Sequence, residues 1–92
     1  MHVVFVTVSV KDGRLAEAED GLRTMVVPSA SQSPGFKRGT WWHTSDGTTG
    51  YGLVVFEDEE TAKQMAAQVA VPPGDAPVSI RSVEVAPLSI EA

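Results

Sequence analysis

The chain has 92 residues, no cysteine, 42% hydrophobic residues and a net charge of −5. That length supports one domain with a small core, and the composition is that of a folded protein, not a disordered one. Lack of cysteine excludes disulfides, a thiolate nucleophile and cysteine-built zinc sites, and the acidic balance disfavours nonspecific attraction to nucleic acid or an anionic membrane.

The opening "MHVVFVTVSV" has no basic leader and no small-residue cleavage site, and no apolar run reaches the length of a membrane span. A cytoplasmic protein without a membrane partner is therefore expected. His2 to Val10 is dense in valine and too short for an independent helix, so it reads as a strand. Val4, Val6, Val8 and Val10 share one face, while Val3 and Phe5 lead the other. Both faces are largely apolar, as in a strand covered on two sides.

Asp12 is a candidate N-cap for the helix that follows. Leu15, Ala18, Leu22, Met25 and Val26 recur at helical spacing and predict its buried stripe. Pro28 must stop or kink this helix, and Pro34-Gly35 ends the segment. Residues 36–44 read as a second strand, Asp46-Gly47 as a hairpin turn and residues 49–56 as the returning strand. Asp58 can cap a second helix, with Glu59 and Glu60 in its first turn and Ala62, Met65, Ala66 and Val69 on its apolar side. "VPPGDAP" is a linker, and residues 78–88 form the last strand.

The order β-α-β-β-α-β predicts an α+β, ferredoxin-like single domain over residues 1–92. Its four-stranded antiparallel sheet has the first and third strands in the middle and both helices on one face. Pairing the hairpin places Trp42 opposite Tyr51, Trp41 opposite Gly52 and His43 opposite Gly50. With the even-numbered valines under the helices, the opposite face carries Val3, Phe5, Trp42, Tyr51, Leu53 and Val55. So much contiguous apolar surface requires a cover.

Two covers fit. The stretch "TGYGLVVF" follows the RNA-reading strand pattern of an RNA-recognition module, and "VFV" at residues 4–6 suits its partner strand. It departs where Thr49 replaces a basic residue and Leu53 a stacking aromatic, the positions that contact phosphate and bases. Nucleic acid is thus the weaker reading. A second copy of the same sheet needs no missing residue, so these six residues are expected to form a homodimer interface.

The valine-rich first strand, "VVPSASQSPGF" at residues 26–36, the aromatic second strand, "GLVVFEDEETA" at residues 52–62 and the valine-rich last strand together resemble the dimeric α+β barrel superfamily. The likeness is particularly to antibiotic biosynthesis monooxygenase-like proteins and covers nearly the whole chain. It implies a first helix that continues past Pro28 and a face-to-face dimer. It also implies a function ranging from cofactor-independent oxygenation of aromatic, polyketide-like molecules to ligand binding without turnover. The haem-degrading branch is recognised by a first-strand Asn with Trp and His on the second helix. Here Thr7 and "EETAKQMAAQVA" supply none of them.

Such relatives hold their ligand between sheet and helices, where Trp41, Gly39, Gly50, Gly52 and His43 are expected. Trp41 either fills the space over the glycines or walls a pocket that they leave open. His43 is the candidate general base, able to take a proton from a phenol or enol, or else a half-solvated histidine at a strand end. His2 and His43 start and end parallel strands about 20 Å apart, too far for a shared metal. Lys37 and Arg38 read as solvated strand residues, and "EDEE" as a helix start. No metal and no cofactor is expected.

Overall fold

The valine-rich opening occupies the middle of the sheet, as its two apolar faces require. The computed structural model describes residues 1–71 and 74–92, so Pro72 and Pro73 of the expected linker lie outside the described residues. Strand β1 is His2–Val10, β2 Phe36–His43, β3 Thr49–Phe56 and β4 Val78–Pro87, in the order β2-β3-β1-β4. Every neighbouring pair is antiparallel. The expected order and hairpin register both hold, with Trp42 opposite Tyr51, Trp41 opposite Gly52 and His43 opposite Gly50. A register shift between Phe36 and Arg38 falls before the tryptophans and leaves their facing unchanged.

Between β1 and β2 the chain forms one continuous helical segment in three parts. These are α1 (Leu15–Gly21), a π-helical turn (Leu22–Val26) and α2 (Val27–Ser31). Asp12 is not the cap. Arg14 occupies that position without a side-chain bond, while Asp12 and Gly13 form a turn closed by Arg14 N–H to the Lys11 carbonyl at 3.0 Å, with Gly13 at φ +74°.

The π turn follows from Pro28. Proline has no N–H to give, and its ring collides with the carbonyl one turn back in a regular helix. A wider turn relieves that collision and lets the helix continue, the Val27 N–H reaching the Leu22 carbonyl. The five-residue step corrects the stripe expected from regular helical spacing. After Leu15, Ala18 and Leu22, the inward positions are Val27 and the fully buried Ala30, while Met25 is 63% exposed and Val26 41%.

The buried core lies at one end of the helix-covered face. Val4, Val54, Phe56 and Ala62 form it, with Phe36, Met65, Val83 and Val85 around them, and the Phe36 and Phe56 rings meet edge to face at 6.4 Å. Helix α3 (Glu59–Gln68) delivers Ala62 and Met65 to this core. Asp58 caps it as expected, accepting the Thr61 N–H at 2.9 Å.

The Pro34-Gly35-Phe36 lead-in locks β2 to this helix. Gly35 sits at φ +79°, its carbonyl accepts the Glu57 N–H at 2.8 Å, and a Cβ there would lie 2.5 Å from the Thr61 hydroxyl oxygen. Gly35→Ala should therefore cost about 1–3 kcal/mol of unfolding free energy, measured by urea denaturation. A neutral substitution would contradict this account of the lead-in.

Candidate functional site

The other end of the helix-covered face is not filled. Between the sheet and the first helical segment lies a cavity of about 1140 Å³. Val4, Val6, Val8 and Val10 of β1 form its floor with Val54 and Ile80, and Leu15, Ala18 and Leu22 of the helical segment border its roof. Met65 and Val69 close the side toward α3. No residue of α1 or of the π turn is fully buried, so these parts of the segment roof the cavity without filling it.

Polar contacts hold the roof in place. The Arg14 guanidinium donates to the Asp75 carboxylate at 2.7 Å, to the Asp75 carbonyl at 2.9 Å and to Glu17 at 2.7 Å. Lys11 adds a 3.2 Å contact to the same Asp75 oxygen. Hydrogen bonds from Arg14 and then Lys11 hold the Asp75 carboxyl below its ordinary range, and the Arg14 bond does the same for Glu17. Asp75 and Glu17 are exposed, so the contribution of these contacts is screened by solvent and is mainly one of geometry.

Trp41 lies across two glycines. A Cβ at Gly39 would come within 2.5 Å of Trp41 Cη2, and one at Gly52 within 2.8 Å of Cδ1. The indole thus occupies the space above the strands and also borders the cavity. Gly50 also lines the cavity, and a side chain there would meet Val8 at 3.0 Å.

His43 stands at the cavity's rim, where β2 ends. Its Nδ1 lies 2.7 Å from the Thr44 carbonyl oxygen, which can only accept, so Nδ1 carries the proton. Its Nε2 lies 3.2 Å from Glu19 Oε1 on α1, and Glu19 Oε2 also receives Arg23 at 3.3 Å. A doubly protonated ring donates to both oxygens; a ring protonated only at Nδ1 presents the Nε2 lone pair to the rim.

Glu19 is the residue that sequence reasoning missed. Helical spacing places it beside the Ala18–Leu22 stripe but does not say which strand end that side of the helix meets. His2 is remote, pairing with Phe56 while His43 pairs with Gly50 near the other end of β3. Its Nε2 contacts Glu59 at 3.4 Å, and its buried Nδ1 has no partner among the described residues. Among the described residues no cluster of histidine and acidic side chains could hold a metal ion.

The helix-free face carries Val3, Phe5, Trp42, Tyr51, Leu53 and Val55 together, as the register requires. Tyr51 stacks on Phe5 at 5.9 Å and on Trp42 at 5.4 Å, and Trp42 remains 45% exposed. The far end of this face is different, because Val55 is only 1% exposed. The Leu88 N–H bonds the Met1 carbonyl at 2.9 Å and Glu91 pairs with Arg38 on β2, so the C-terminal tail crosses the sheet there. Lys37 is also paired, with Glu57 at 3.9 Å.

The hairpin that positions His43 depends on Asp46. One carboxylate oxygen accepts the Thr44 hydroxyl at 2.7 Å, the Thr48 hydroxyl at 2.8 Å and the Thr48 N–H at 3.0 Å. These bonds, the Thr44 hydroxyl first, lower its pKa from 3.8 to about 2. The folded value lies below the unfolded one, so the stabilisation is present above pH 3.8 and is lost as pH falls toward 2. Asp46→Asn should loosen the turn at neutral pH and remove this acid-dependent step, read from the Thr48 amide resonance across a pH titration. An identical titration in both proteins would contradict that role.

No helix among the described residues is long and apolar enough to cross a membrane. Comparison with known protein families found no matching family model, and comparison with curated proteins found no match.

Proposed function

We propose that this chain is a face-to-face homodimer of the antibiotic biosynthesis monooxygenase-like, α+β barrel type whose subunits each bind a small apolar molecule between sheet and first helical segment. The cavity of about 1140 Å³ carries this reading. It slightly exceeds the several hundred to about 1000 Å³ of ordinary small-molecule pockets, with a mostly aliphatic lining, one aromatic wall and polar groups at the rim. The stacked Phe5, Trp42 and Tyr51 supply the surface for a second copy, while Val55 is already covered within its own subunit.

A neutral fused-ring probe such as pyrene should bind saturably and quench tryptophan emission. Gly52→Ala should displace the Trp41 indole and weaken that binding by about tenfold, or 1.4 kcal/mol, while light scattering still reports a dimer. Binding unaffected by the substitution, or absent altogether, would contradict the cavity reading. A monomer at micromolar concentration would contradict the assembly.

Catalysis is a second reading, favoured by the position of His43 at the rim. The Nε2 lone pair would take the proton from a phenol or enol, leaving an electron-rich anion able to reduce O₂. Oxygenation then balances when the substrate loses its O–H and one ring C–H hydrogen and gains one oxygen atom as a second carbonyl, the other oxygen leaving with those two hydrogens as water. His43→Ala should abolish substrate-dependent O₂ uptake and preserve pyrene binding. Unchanged uptake would remove His43 from the chemistry.

A further inference from the structure

We infer that Glu19 and His43 form a selector at the cavity's rim that admits neutral hydroxyl-bearing ligands and rejects carboxylates. This rests on the cavity reading above and concerns the ligand's polar end.

The cavity's aliphatic interior offers a ligand little polar recognition, so discrimination falls to the groups at the rim. There His43 Nε2 and Glu19 Oε1 lie 3.2 Å apart, and a ring protonated only at Nδ1, toward the Thr44 carbonyl, turns Nε2 out as an acceptor beside the carboxylate. A hydroxyl matches that pair because it has a hydrogen to give, to the carboxylate or to the imidazole nitrogen. A carboxylate has no hydrogen for either acceptor, and it brings a second negative charge against Glu19 within a few ångströms. Desolvating that charge at the edge of an apolar cavity adds to the cost.

Among the described residues, Arg23 is the one arginine or lysine lining the cavity that could reverse the preference. Its side chain is 72% exposed, and its guanidinium is directed at Glu19 Oε2 at 3.3 Å, so it neutralises Glu19 in part without presenting a free anion site. The chain's net charge of −5 acts in the same direction. The Thr44 carbonyl fixes the ring orientation by holding Nδ1, which makes the selector a property of the β2 end and of α1 together.

The test compares two molecules of the same ring system at pH 7.5, 2-naphthol and 2-naphthoate, titrated into the wild-type protein and into Glu19→Gln by isothermal calorimetry. Wild-type protein should bind the naphthol at least about tenfold more tightly. Glu19→Gln should bind naphthoate more tightly than wild type does and narrow that ratio, with an unchanged circular dichroism spectrum. Equal affinities in the wild type, or the same ratio in both proteins, would overturn the selector and leave the cavity standing. If neither molecule binds, the cavity reading fails, and the selector with it.

Discussion

A proline inside the first helical segment is the constraint from which the site follows. Pro28 cannot take part in a regular helical turn, and the chain accommodates it with a π turn instead of a break. The widened turn shifts the inward positions by one residue, so that α2 sends Ala30 into the core while α1 is left above the sheet. Were the helix regular, Met25 and Val26 would face inward with Leu22 and fill part of the space that is now the cavity. The same substitution of geometry turns them toward solvent at its edge.

The two ends of the sheet therefore hold together differently. One end has a conventional core in which Val4, Val54, Phe56 and Ala62 are out of water. At the other, Arg14, Asp75, His43 and Glu19 anchor the helix by exposed polar contacts, each worth little in free energy but specific in geometry. Such an arrangement is suited to binding, because a ligand can replace water against the aliphatic floor without displacing packed side chains. The sheet supports it with Trp41, which lies where Gly39 and Gly52 have no side chains.

Much of the architecture was legible in the sequence because hydrophobic periodicity and turn chemistry agreed. The valine faces of β1, the Asp46-Gly47 hairpin and the Asp58 cap each depend on local rules, and each stands where those rules put it. The register then carried Trp41, Trp42, Tyr51 and His43 to their proper faces. Some failures were local, as where Arg14 takes the cap position expected of Asp12, and others depended on tertiary context. The stripe on the first helix assumed an uninterrupted 3.6-residue period, which the π turn breaks. Glu19 could not be matched to His43 because pairing a helix side with a strand end requires the crossing geometry. The tail over Val55 was invisible for the same reason, since a few residues beyond the last strand carry no periodic signal.

The central claim is that the helix-covered face is left unfilled over Val6 and Val8 because the first helical segment is held off the sheet. A high-resolution crystal structure of the purified protein without added ligand tests this most directly. It should show the five-residue turn before Pro28, the Trp41 indole flat over Gly39 and Gly52, and an open or occupied space between Val8 and Leu22. A regular helix with Leu22 seated directly on Val8, and no space beneath it, would contradict the account.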